Sequence, residues 1–184
     1  GDVLKSDPAA VLGDEPCKLV ANLPYNITSP VFGLFLPLPN LSRMVVTVQR
    51  QVAERIVARE GNKTYGAFTL FCQFWAKTEL LFHIAPGNFH PAPSVYSSVV
   101  RLTRREPPLA GAAREMFFAL VKAVFTSRRK TLCNNLRNYA LPGIDAAAAV
   151  AVLEAAGIDP ESRGEKLSLD GFCTLAARLA DAAR

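Results

Sequence analysis

Up to Thr103 the chain alternates short apolar runs with amphipathic stretches, and beyond it only helical spacing remains. Residues 18–21 (KLVA) read as an apolar strand that runs into Asn22-Leu23-Pro24-Tyr25. Thr28 and Ser29 offer an N-cap with Pro30 at the first helical position, so a short helix is predicted over about 30–36, stopped by Pro37-Leu38-Pro39. Residues 43–49 (RMVVTVQ) read as a buried strand. Residues 50–60 are amphipathic, with Val52, Ile56 and Val57 on one face and Gly61 as the stop. A further helix is predicted over 65–75, although its aromatics leave a strand open, then strands over 77–84 and 95–103. The proline-stiffened loop 85–93 joins those two strands in place of a long helix, so they are expected to pair antiparallel.

Residues 104–111 (RREPPLAG) are a linker by composition, and helices are predicted beyond it over about 112–126, 130–140, 145–156 and 169–184, the last capped by Ser168. The pattern predicts an α/β domain over 1–104 and a small helical domain over 105–184.

Composition narrows the partners. Half of the 184 residues are hydrophobic, enough for a core, and the net charge is +5 with a pI of about 9.2. That balance favours an anionic partner, nucleic acid first. Cys17, Cys72, Cys133 and Cys173 have no metal-knuckle spacing, and with His83 and His90 as the sole histidines no metal site is expected. Buried thiols in a reducing compartment are the plainer reading. No run of 18 apolar residues occurs, so a soluble, cytoplasmic protein with no membrane partner is expected. The glycine-dense stretch 61–66 lacks the strand–GxGxxG–helix context of a nucleoside pocket. For an α/β enzyme, the first nucleoside-binding loop is therefore expected before Gly1.

The chemistry concentrates at Asn22-Leu23-Pro24-Tyr25, at the end of a strand, where open α/β sheets place ligands. Methylating the exocyclic amine of adenine is hard because its lone pair is delocalised into the ring. A site helps by accepting both N–H bonds, by stacking the flipped base and by holding the nitrogen in line with the donor. Asn22 offers a side-chain carbonyl, Leu23 a peptide carbonyl left free because Pro24 brings no N–H, and Tyr25 an aromatic face. The alternative is a plain strand-to-helix turn built from Asn and Pro. Phe89, in the stiffened loop, is a natural second wall, or else a core phenylalanine.

With Asn26-Ile27 added, this segment resembles the target-adenine motif of the KsgA family, the small-subunit ribosomal RNA adenine dimethyltransferases. The likeness continues through Gly1-Asp2-Val3-Leu4, residues 49–55 (QRQVAER), Tyr65-Gly66 and the run from Phe89-His90-Pro91 to Val100. It extends over residues 125–132 (FTSRRKTL) with Asn134 and Leu136, then Gly157-Ile158-Asp159-Pro160, Arg163 and Leu167-Ser168. The resemblance implies the later half of a Rossmann-like S-adenosylmethionine methyltransferase domain followed by a small all-helical RNA-binding domain. It implies two methyl transfers from S-adenosylmethionine, without a metal, to N6 of adenines in the ribosomal RNA of the small subunit, in support of ribosome biogenesis. A monomer is expected of the full-length protein.

On this likeness Asn22, Leu23, Pro24 and Tyr25 form the catalytic site, Asp2 and Asn22 touch the cofactor, and Phe89, Arg128, Arg129 and Lys130 bind RNA. Asp2 reads otherwise as a strand-end turn residue, and the basic cluster as a solvated helix end. The family's Gly-rich loop and ribose-binding acid have no counterpart here, so this chain alone is expected to bind RNA, to bind cofactor poorly, to be inactive and to expose a strand edge near residues 18–21. Two other readings stay open: a non-catalytic RNA-binding or ribosome-assembly module, and a methyltransferase for another RNA or for DNA.

Overall fold

The computed structural model describes residues 2–183; Gly1, at the head of the Asp2 segment, and Arg184, at the end of the last predicted helix, lie outside the described residues. The chain forms two compact units. One holds the residues up to Ala58 and Cys72–Glu106, the other Arg59–Phe71 and the chain from Pro107 on. The excursion of residues 59–71 into the helical unit has no local signature. It rests on distant bonds: the Gly61 N–H donates to the Glu165 carbonyl (2.6 Å), and the Tyr65 hydroxyl donates to the Leu167 carbonyl (2.9 Å).

In the first unit four strands form one sheet: β1 (Cys17–Asn22), β2 (Leu41–Gln49), β3 (Ala76–Ile84) and β4 (Ser97–Arg104), in the order β1-β2-β4-β3. β1 and β2 run parallel with Asn22 opposite Thr47. β4 is antiparallel to both neighbours and puts its first residue, Ser97, opposite Gln49 at the end of β2. The expected antiparallel pairing of the last two strands is therefore present, with β4 inserted between β2 and β3. The ends of β1 and β2 and the start of β4 all lie on one edge of the sheet. Met44, Val46 and Val48 of β2 and Val100 and Leu102 of β4 are buried, whereas Val45 and Thr47 are half-buried, so β2 follows the period-two alternation of a strand with one better-covered face.

The helices of this unit are α1 (Pro8–Leu12), α2 (Thr28–Phe35) and α3 (Arg50–Ile56), while α4 (Ala67–Trp75) carries the chain from the second unit back to the first. A single 3₁₀ turn, Tyr25–Ile27, precedes α2. Thr28 and Ser29 therefore do not cap the helix as expected. Thr28 is its first residue, 2% exposed, and Pro30 is its third, where the first turn still needs no N–H. α3 stops at Ile56 rather than near residue 60, because the Gln73 amide donates to the carbonyls of Ile56 (3.3 Å) and Ala58 (2.8 Å) and closes the helix end.

The second unit is helical: α5 (Gly111–Thr126), α6 (Leu132–Asn138), α7 (Ala146–Ala155) and α8 (Leu169–Ala182) pack around Phe117, Leu120, Leu153, Phe172 and Leu179. Thr131, Asp145 and Ser168 each accept a hydrogen bond from a backbone N–H in the first turn they cap. α6 thus begins two residues later than predicted. Gly157, at φ +70°, takes the left-handed conformation that ends α7 and returns the Ile158 N–H to the Leu153 carbonyl (3.3 Å).

Candidate functional site

A cleft of about 260 Å³ opens at the sheet edge where β1 ends. Asn22, Leu23, Pro24 and Tyr25 form one side, and Phe89, Pro91 and Pro93 the other. The loop and the strand end that the sequence singled out thus meet in one place. The Leu23 N–H makes the last rung to β2, on the Thr47 carbonyl (3.2 Å), and Pro24 ends the ladder. Among the described residues no backbone N–H donates to the Leu23 carbonyl. Asn22 is exposed at the strand end, Tyr25 is half-buried, and Leu23 is buried beneath them.

Two features hold the aromatic walls. The Tyr25 hydroxyl lies 2.7 Å from the Ser97 hydroxyl, which is itself fully buried. Phe89 is fixed by its own backbone, its N–H donating to the Pro86 carbonyl (3.1 Å) at the end of a 3₁₀ turn, Pro86–Asn88. The cleft is lined by two residues able to offer acceptor carbonyls, Asn22 by its side-chain amide and Leu23 by its peptide, and by two half-buried aromatic residues. Such a set suits a planar heterocycle carrying an amino group. Sequence reasoning missed Ser97, Pro91 and Pro93. The signal for Ser97 was present in Ser97-Ser98, two serines heading an apolar strand.

In the helical unit the basic run lies in the turn between α5 and α6. The guanidinium of Arg128 is half committed within that unit: it donates to the Lys63 carbonyl (3.0 Å) and the Glu165 carboxylate (3.2 Å), and lies 5.9 Å from the centre of the Phe125 ring. Arg129 and Lys130 are exposed. Beneath the turn sits Asn135, 1% exposed, whose amide donates to the carbonyls of Val124 (3.0 Å), Ser127 (3.4 Å) and Lys130 (3.4 Å). It closes the end of α5 and the far end of the basic run onto α6. The likeness stated from sequence included Asn134, which is exposed; its neighbour Asn135 is the residue that builds the turn. Segment 160–164 completes the support: Leu132 and Cys133 donate to Ser162 and Pro160 (2.8 and 3.0 Å), and a Cβ on Gly164 would fall 2.0 Å from the Val124 side chain.

Asp2 caps a short 3₁₀ turn, accepting from the Leu4 N–H (3.0 Å), with Lys5 at 3.8 Å. Burial pushes the Cys72 thiol well above its usual range. The Tyr65 hydroxyl is raised by burial first, then by Glu60 and Cys173, so it stays protonated and donates.

The chain matches the family model described as ribosomal RNA adenine dimethylase over residues 1–181. It is 41% identical to the ribosomal RNA small subunit methyltransferase A of Geobacillus thermodenitrificans, with 97% of this chain and 64% of that protein covered. To the protein of the same name from Afipia carboxidovorans it is 43% identical, with 97% and 62% covered. The chain thus spans under two thirds of the length of these curated relatives. Among solved structures, a dimethyladenosine transferase from Plasmodium falciparum superposes with a TM-score of 0.83 at 23% identity, covering 99% of this chain and 71% of that one. The 23S rRNA methyltransferase ErmE superposes at 0.70 with 26% identity, covering 97% and 70%. The fold is the one these neighbours share, Rossmann-like with appended helices.

Proposed function

The chain belongs to the ribosomal RNA adenine dimethylase family, and from this we propose that the whole protein carrying it dimethylates N6 of adenines in small-subunit ribosomal RNA, with the target base held between Tyr25 and Phe89. The observation that carries the reading is the single cleft in which Asn22, Leu23, Pro24 and Tyr25 meet Phe89. The adenine is flipped from its strand into that cleft, stacked on the two rings, with its amino group toward Asn22. Asn22 Oδ1 and the Leu23 carbonyl each accept one N–H of the amine. As those bonds tighten the nitrogen becomes tetrahedral and its lone pair turns outward from the ring.

S-adenosylmethionine, when bound, supplies an electrophilic methyl group at that lone pair. Asn22, at the strand end, and Asp2, whose carboxylate is half exposed and suits an amino N–H, are the residues of this chain that would hold it. Arg129 and Lys130 neutralise RNA phosphates, and Asn135 holds their turn in shape.

The test is nucleoside mass spectrometry. Small subunits lacking methylated adenines, incubated with the whole protein and S-adenosylmethionine, are expected to yield N6,N6-dimethyladenosine. Tyr25→Ala is expected to abolish most of that yield. Methyl groups on another base, or none with intact protein, would reject the assignment.

A further inference from the structure

A second cleft, of about 440 Å³, opens on the same sheet edge beside the first. It is lined by Gln49, Arg50 and Gln51 at the end of β2, by Glu54, and by Ser94, Val95 and Tyr96 just before β4. Nothing in the proposed reaction uses it. The same loop serves both clefts: Phe89, Pro91 and Pro93 line the first, and the next three residues line the second. The strands behind them are paired neighbours, β1 ending at Asn22 and β2 at Gln49, one strand spacing apart at about 4.8 Å.

The lining fits a nucleotide. Tyr96 and Val95 are 50% and 39% exposed, an apolar surface that the core does not take up. The Tyr96 backbone is nevertheless fixed, because its carbonyl accepts the Arg50 N–H (2.9 Å), so the ring stands on a rigid support. The Arg50 side chain is oriented by Glu54, to which its Nε donates (2.8 Å). Its terminal nitrogens have no protein partner among the described residues, which leaves donors for a phosphate. Gln49 and Gln51 carry both donor and acceptor, as a base edge requires. The volume lies within the range of about 300–1,000 Å³ usual for small-ligand sites.

We propose that this second cleft binds the nucleotide adjoining the target adenine in the RNA strand, its base stacked on Tyr96 and its phosphate at Arg50. The proposal rests on the target-base reading of the first cleft. A target flipped into one cleft drags its neighbour out of the stack, and a platform for that neighbour offsets the cost of unstacking.

The experiment measures binding of the whole protein to a synthetic RNA hairpin with one loop adenine as target, in four forms: intact, abasic at the target, and abasic at one or the other adjoining position. Removing one adjoining base is expected to weaken wild-type binding roughly five-fold or more, the scale of one base–aromatic stack. That loss is expected to vanish in Tyr96→Ala and to persist in Tyr96→Phe, which keeps the ring. A methylphosphonate at that linkage is expected to weaken binding to the wild type and not to Arg50→Ala, an independent arm should Tyr96→Ala fold poorly.

Equal losses in wild type and Tyr96→Ala, or in wild type and Arg50→Ala, overturn the proposal. Coupling between the target base and Tyr25→Ala is read in the same series. If that coupling is present and the Tyr96 coupling absent, only the second cleft is reassigned. If wild-type binding ignores both abasic sites, both assignments fall.

Discussion

Tyr25 Oη and Ser97 Oγ lie 2.7 Å apart although 72 residues separate them, and this bond ties the segment after β1 to the first residue of β4, across the end of β2. It gives the stacking ring a fixed height at the sheet edge. Two properties of Tyr25 can therefore be separated. Tyr25→Ala loses the ring and is expected to weaken RNA binding by about 1–3 kcal/mol. Tyr25→Phe and Ser97→Ala lose only the bond. Each is expected to cost about 0.5–1.5 kcal/mol of folding stability while keeping most of the affinity. Equilibrium RNA binding and urea unfolding, run on all three, check the split. An affinity loss for Tyr25→Phe equal to that for Tyr25→Ala would mean that the hydroxyl, not the ring, meets the RNA.

Asn135 is predicted to be the keystone of the basic turn. Asn135→Leu leaves the carbonyls of Val124, Ser127 and Lys130 short of a donor and is expected to destabilise the protein by about 1–3 kcal/mol. RNA affinity should fall with it even where the protein remains folded, while Asn134→Ala, at an exposed position, leaves both nearly unchanged. Thermal unfolding and RNA titration of the two variants decide it, and equal behaviour would remove the special role of position 135.

Arg129 and Lys130 are exposed, whereas Arg128 is engaged by Glu165, the Lys63 carbonyl and the Phe125 ring. Arg129→Gln or Lys130→Gln is therefore expected to lower RNA affinity uniformly across sequences and to reduce the slope of log K against log salt by roughly 0.7–0.9 each. Arg128→Gln is expected to lower stability as well. Binding measured at several salt concentrations gives the slopes; slopes unchanged by both exposed substitutions would place the RNA elsewhere.

Much of this was legible in the chain. The Asn22–Tyr25 segment and Phe89, which line one cleft, could be singled out because a strand end running into Asn-Leu-Pro-Tyr and a proline-stiffened loop are local patterns. The start of α8 at its Ser168 cap was visible for the same reason, since a cap is local chemistry. The misses share a cause too. The early end of α3 and the capture of residues 59–71 by the helices depend on partners farther along the chain, such as Gln73, Glu165 and Leu167. The place of β4 between β2 and β3 is likewise a matter of long-range pairing, on which local periodicity is silent.

The sheet also carries a pH signature. Arg101 holds Glu79 across β4 and β3 through two bonds, at 3.0 and 3.1 Å. The hydrogen bond from Arg101, with the charges of Arg101, Lys77 and Arg43, holds the Glu79 carboxyl below the usual carboxylate range. A folded pKa below the unfolded one adds stability above the unfolded value, and that stability is lost as the pH falls through the folded value. Glu79→Gln is expected to lower the melting temperature at neutral pH, with the gap to wild type closing as the solution is acidified through and below the carboxylate range. Melting curves over pH 3–7, on the order of the carboxylate titration window, show it; a gap independent of pH would mean that the pair adds nothing through its charge.

The most direct test of the central claim is the single-turnover rate of methyl transfer by the whole protein carrying Asn22→Ala, measured beside its affinity for the same RNA. Asn22 Oδ1 is assigned to an amine whose N–H bonds strengthen as the nitrogen becomes tetrahedral, so its loss should act on the transition state rather than on binding. The rate is expected to fall by roughly 10²-fold or more, the scale of one lost charge-stabilising hydrogen bond, while affinity changes by no more than about three-fold. An unchanged rate with weakened binding would contradict the account, because Asn22 would then hold the RNA without taking part in the chemistry.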